Sequence, residues 1–233
     1  MLKGKITVIF TMLTIFLCSA INAAQPENTE KYNVFAVVST NIARIATRAA
    51  NDVYKEEGLN SFPGKGYQIH STLYMTIYPK EALTAIDEKV KKIAQNVRQF
   101  KVNTTGLEIT EGDWLFIGLE NNAHFQALAD VATKMLSPLR YKSNYVPEWA
   151  KNMPGKIKKI KEYGSPNVFD EFNPHLTITA KEDAAKLNHF ISIHGDSSYA
   201  KPIEGQIIAI GYGIADKNGQ VAKPIKIYDL RKK

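Results

Sequence analysis

The sequence predicts an α+β protein built as two duplicated lobes, and three observations carry that reading. Two short segments, Ile69-His70-Ser71-Thr72-Leu73 and Pro174-His175-Leu176-Thr177-Ile178, repeat one pattern of histidine, any residue, threonine and an aliphatic residue. Polar and apolar residues alternate around both, as in half-buried strands. Each segment is then followed by the same succession of a helical run and a strand pair.

The elements read in order as follows. Tyr32 to Ser39 is apolar enough for a central strand. Asn41 is placed to cap a helix carrying Ile42, Ile45, Ala46 and Ala49 on one face. Residues 58–66, with three glycines and Pro63, form a loop into the first motif strand. After that strand, Leu83, Ile86, Val90, Ile93 and Val97 fall at helical spacing, and a strand pair from Phe100 to about Leu119 turns near Glu111-Gly112-Asp113. A helix from Asn122 to Leu136 is ended by Pro138. From Arg140 to Asn173 prolines and glycines break the pattern, leaving one or two short helical turns around Trp149, Ile157 and Ile160. The second motif strand precedes a shorter helix with Ala184, Leu187, Phe190 and Ile191. A last strand pair, Gly205 to Leu230, turns at Asp216-Lys217-Asn218-Gly219, where Asn-Gly suits a hairpin.

Within each motif the side chains of positions i and i+2 share a strand face, about 6.6 Å apart. His70 and Thr72 therefore stand side by side, as do His175 and Thr177, and two such pairs could hold one phosphoryl group from opposite sides. The alternation extends the first polar face to Gln68, Tyr74 and Thr76 and the second to Thr179.

These residues resemble the 2H phosphoesterases, a family whose signature is a pair of His-x-Thr/Ser-hydrophobic motifs, one per lobe. His70-Ser71-Thr72-Leu73 and His175-Leu176-Thr177-Ile178 match it position by position, and Pro174 before the second histidine also fits. The likeness extends from about Tyr32 to Leu230, with its specific part in those eight residues. It implies two lobes, each an antiparallel sheet with helices on its outer face, and an active-site groove between them. It further implies a phosphodiesterase for 2′,3′-cyclic phosphates or 2′,5′ linkages of a small nucleotide or RNA end. In that reading His70 and His175 are general acid and base, Thr72 and Thr177 bind the phosphate, and no metal or other cofactor is needed. Two further readings stay open: a non-catalytic nucleotide- or RNA-binding module of the same fold, and a metal-dependent hydrolase.

Residues 1–24 carry Lys3 and Lys5, a long apolar run from Ile6 to Leu17, and small residues at Ala23 and Ala24. That is the pattern of a secretory signal peptide, too short for an ordinary membrane span. The expectation is an exported protein, periplasmic or secreted, whose mature part is one bilobal domain over 25–233, monomeric and without stable membrane insertion. The single cysteine, Cys18, lies in the leader; a lipid-modified reading is disfavoured by the large Leu17 before it. The mature chain thus offers no thiol for catalysis, disulfides or zinc. Of the formal charge of +7, removal of Lys3 and Lys5 leaves +5, 28 basic against 23 acidic residues. That excess suits an anionic substrate but not tight nonspecific nucleic-acid binding.

Tyr74 shares the face of His70, and Phe172 lies just before the second motif. Both are candidates for stacking on a base or lining the rim. Five lysines between Lys151 and Lys161 form either a solvated helix face or a contact for outlying phosphates. His124, His189 and His194 lack a threonine partner and read as surface or capping residues.

Overall fold

In a computed structural model of the chain, residues 26–143, 145–195, 199 and 201–232 are described. The expected leader, residues 1–24, lies outside them. Seven strands form one antiparallel sheet: β1 (Thr29–Val38), β2 (Ser71–Pro79), β3 (Phe100–Ile109), β4 (Leu115–Leu119), β5 (His175–Thr179), β6 (Glu204–Ile214) and β7 (Pro224–Asp229). Its order is β2-β1-β6-β3-β4-β5, with β7 also on β6. The helices are α1 (Thr40–Glu57), α2 (Leu83–Asn96), α3 (Ala123–Leu136), α4 (Pro154–Tyr163) and α5 (Ala184–His194).

The two strand pairs are exchanged between lobes. β2 leads through α2 to β3 and β4, yet β4 pairs with β5, the strand of the other motif. β5 leads through α5 to β6 and β7, yet β6 pairs with β1, the neighbour of β2. The long β6 joins the halves, bonding β1 along one side and both β3 and β7 along the other. α2 and α3 pack over β2, β6 and β7, while α1 and α5 cover β5, β6 and β3.

Each helix is held by an apolar stripe. Ile42, Ala46, Ala49, Ala50 and Val53 of α1 are buried, as are Ile86, Val90, Ile93 and Ala94 of α2. At roughly 1.5–3 kcal/mol for a fully buried aliphatic side chain, those stripes outweigh any helix propensity. Asp87 on α2 also accepts hydrogen bonds from Tyr212 of β6 (2.8 Å) and Tyr228 of β7 (2.7 Å).

Two local expectations change. Ser39, not Asn41, is the N-cap of α1. Its hydroxyl accepts from Gln206 N at 2.9 Å, so the end of β1 is tied to β6 and the helix must start there. The 140–173 segment holds a ten-residue helix, α4, begun by Pro154 and ended by Gly164 at φ +75°. The β3–β4 turn falls where expected, with Asp113 in the left-handed conformation (φ +60°). The Asn-Gly turn also stands as expected, with Gly219 at φ +78°. No described helix is long and apolar enough to cross a membrane.

Candidate functional site

The two motifs are placed by the same device, a bulge at the fourth residue of each. In β2, Thr72 pairs with Phe35 and Tyr74 with Val34, which leaves Leu73 as an extra residue. In β5, Thr177 pairs with Phe116 and Thr179 with Leu115, which leaves Ile178 extra. An extra residue turns the rest of the strand over. His70 and Thr72 therefore share a face with Phe35 and Asn33, while Tyr74, Thr76 and Tyr78 are carried to the opposite, helix-covered face. Leu73 and Ile178 are themselves buried.

β2 and β5 lie at the two ends of the strand order, yet the curved sheet brings them together. The loop before β2 also bonds β5 directly, Phe62 N to Ile178 O at 2.9 Å. His70 and His175 lie near enough that a charge on His175 disfavours protonation of His70.

The surroundings of the histidines are nearly symmetric. His70 Nδ1 is 2.7 Å from Gln68 O, and His175 Nδ1 is 2.8 Å from Asn173 O. A carbonyl only accepts, so each Nδ1 carries a proton and each Nε2 of the neutral ring is an acceptor. Under each imidazole lies a phenylalanine from the adjacent strand: Phe35 with its ring centre 5.0 Å from that of His70, and Phe116 stacked on His175 at 3.8 Å and 14°. Gly211, opposite Phe35, leaves the ring its space; a Cβ there would come within 2.8 Å of Phe35.

The two sites differ in depth. His70 is only 5 % exposed, deeper than a groove-facing strand residue would be, because the 62–69 loop and the β6–β7 turn close over it. Burial lowers its pKa to about 4, the bond to Gln68 partly opposing; the His175 charge lowers it further and Asp216 raises it. His175 is partly exposed, but its position in the concavity still desolvates it and its pKa is also lowered. Thr72 accepts from Asn33 Nδ2 at 2.8 Å. The Thr177 hydroxyl has no hydrogen-bond partner among the described residues.

Two expected rim residues lie elsewhere. Tyr74 is 1 % exposed behind the bulge, its hydroxyl donating to Tyr163 O at 2.5 Å. Phe172 is buried edge-on against Phe125 in the core. Neither ring offers a face to the groove. Thr179 is likewise carried to the buried side. Three of the five lysines are engaged locally: Lys151 with Glu148, Lys156 with Glu171 and Lys159 with Asp170. α4, which carries most of them, meets β2 through Tyr74 and Thr76, on the side away from His70. His189 and His194 pair with Glu57 and Glu56 of α1, and His124 is exposed. No group of three His, Cys, Asp or Glu side chains among the described residues is placed to hold a metal ion.

Sequence reading missed Asn33, Phe35, Phe116 and Trp114. Asn33 had a signal, since it is the one amide in an apolar strand and is fully buried. The phenylalanines had none, being indistinguishable from core residues until the register is known.

The family described as "Protein of unknown function (DUF1045)" matches residues 75–210. That span starts just after the first motif and includes the second. No curated protein matches the chain. Among solved structures, TT0787 of Thermus thermophilus is similar over 87% of this chain and 99% of its own, at 16% identity and TM-score 0.52. E. coli LigT in its apo form covers 88% of this chain and 99% of its own at 10% identity, TM-score 0.50. The NADP+ complex of LigT gives the same coverage and TM-score at 11% identity. The fold is thus the 2H phosphoesterase fold.

Proposed function

The chain belongs to the DUF1045 family, and from that premise and the groove we propose that it is a phosphodiesterase acting on 2′,3′-cyclic phosphates or 2′,5′-linked nucleotides. One observation carries the reading: both motif histidines are fixed by Nδ1 to the carbonyl two residues before, so both rings are oriented alike toward one groove.

The chemistry follows from those atoms. Water attacks phosphorus as the bond to the leaving ribose oxygen breaks, giving a phosphomonoester. A neutral Nε2 takes the water proton and a protonated Nε2 supplies one to the leaving oxygen. In the free protein both histidines favour the neutral form near pH 7. A bound phosphodiester anion restores a proton to one of them, because an adjacent negative charge favours the imidazolium. Thr72 and Thr177 donate to the non-bridging oxygens as charge grows there.

Two further features support this reading. The net positive charge favours an anionic substrate, and LigT, of the same fold, has been solved with NADP+. The lysine and apolar run at the N-terminus supports a site of action outside the cytoplasm. The test is turnover on nucleoside 2′,3′-cyclic phosphates, 2′,5′-linked dinucleotides, 3′,5′-linked controls and ADP-ribose 1″,2″-cyclic phosphate, with and without excess chelator. Cleavage of the first two classes unaffected by chelator is expected. No cleavage in the panel by wild type would refute the proposal.

A further inference from the structure

The pseudo-symmetry of the groove fails at one position. Val34 of β1 pairs with Tyr74, and Leu115 of β4 pairs with the corresponding Thr179. The residues one step earlier, Asn33 and Trp114, are therefore equivalents. Trp114 packs its indole edge-on against Phe116. Asn33 instead brings its amide to the motif, with Nδ2 3.1 Å from His70 Nε2, 2.8 Å from Thr72 Oγ1 and 2.8 Å from Gly219 O.

An amide nitrogen has two hydrogens, and here it faces three acceptors. Gly219 O can only accept, so it pins the NH2 end toward the motif; a flipped amide would set oxygen against oxygen. Asn33 Oδ1 is buried without a partner, so nothing on that side competes for the orientation. One hydrogen goes to Gly219, and the other is shared between His70 Nε2 and Thr72 Oγ1. Donation to Nε2 is possible only while the ring is neutral. Donation to Thr72 fills a lone pair there and leaves the hydroxyl hydrogen for an acceptor in the groove. His175 Nε2 meets no such donor among the described residues.

Building on the phosphodiesterase reading, we propose that Asn33 is the positioning residue that divides the proton work, holding His70 neutral as the general base and leaving His175 as the acid. In the reaction His70 Nε2 takes the proton of the attacking water as the Asn33 hydrogen swings to Thr72. His175 Nε2–H protonates the leaving oxygen, and solvent exchange resets both rings. The low pKa of His70 has burial as its main cause and acts in the same direction. Of the other charged groups acting on it, His175 opposes and Asp216 favours its protonation.

The test is histidine-selective 15N NMR titration of the full chain, wild type and Asn33→Ala and Asn33→Asp variants, beside pH–rate profiles. In wild type, His70 is expected as the Nδ1–H tautomer titrating below His175. Asn33→Ala should raise the His70 pKa by at least about one unit, and Asn33→Asp by more, because a carboxylate favours the imidazolium. The acid limb of kcat/KM should move with it, a change that a merely structural residue would not cause. If the two rings titrate together in wild type, or His70 titrates unchanged in both variants, the assignment is overturned. The wild-type spectra decide even where a variant fails to fold. They also need no turnover, so an inert enzyme would sink the functional reading alone, and an unmoved His70 in an active enzyme would sink only the role of Asn33.

Discussion

Leu73 and Ile178 hold the same place in two strands that belong to different halves of the sheet: each is the unpaired, bulged residue directly after a motif threonine. The aliphatic residue that closes the pattern is thus part of the device that aims the histidine. It anchors the bulge in the core, so that the motif histidine and threonine turn to the groove while Tyr74 and Thr179, directly beyond it, turn inward.

Leu73→Ala should destabilise the fold by about 2–5 kcal/mol, the usual cost of truncating a buried leucine. Met75→Ala, on the groove face and only half-buried, should cost clearly less. Urea unfolding of the two variants decides it, and equal losses would mean that Leu73 is not the anchor of the strand.

Tyr74→Phe separates the buried position from the sequence expectation of a base platform. The variant loses one hydrogen bond, to Tyr163 O, and should lose on the order of 1 kcal/mol of stability. Its KM should not change. A KM raised tenfold with stability intact would put Tyr74 back at the substrate.

What was legible in the sequence and what was not divide along one physical line. The order of motif, helix and strand pair depends on local periodicity, so it could be read directly, and the Asn218-Gly219 turn with it. The exchange of strand pairs between lobes depends on pairing over long sequence separations, which alternation does not encode. The bulges are the clearest case. A strict period of two puts Tyr74 and Thr179 beside the motif histidines, and one extra residue per strand removes both. Asn33 was hidden for a related reason: its meaning lies in Gly219 and His70, far away in the chain.

The fold should weaken as the medium becomes acidic, and the sign follows from His70. Its pKa is about 4 when folded against about 6.5 in an unfolded chain. Between these values the unfolded state binds more protons, so stability is fully present above about pH 6.5 and falls as the pH drops toward 4. Full titration is worth on the order of 3 kcal/mol, and the lowered pKa of His175 acts in the same direction. Unfolding free energies at pH 7.5 and 5 should show the loss in wild type and a smaller one in His70→Gln. Equal pH dependence of the two proteins would show that His70 is not the buried neutral group described.

The proposed export of the protein can be tested separately, because residues 1–24 carry a basic start, an apolar run and a small-residue site. Expression with an export pathway should give a protein whose intact mass begins near Ala24 or Gln25. A mass that retains Met1, or lipid on Cys18, would count against a soluble exported enzyme.

The catalytic prediction tests the division of labour itself. Replacing either His70 or His175 with alanine should lower turnover by on the order of a hundredfold or more, since each removes a proton carrier. The double replacement should cost far less than the product of the two losses, because groups acting in one step are not additive. Thr72→Ala and Thr177→Ala should each cost on the order of tenfold to a thousandfold, by removing one donor to the phosphoryl oxygens. The pH profile of kcat/KM should be bell-shaped, as one ring must be neutral while the other is charged. Because both pKa values are lowered in the free protein, its optimum should lie on the acid side of neutrality. His70→Ala turning over at the wild-type rate on every substrate that wild type cleaves would leave the two histidines a shared structure with no shared chemistry.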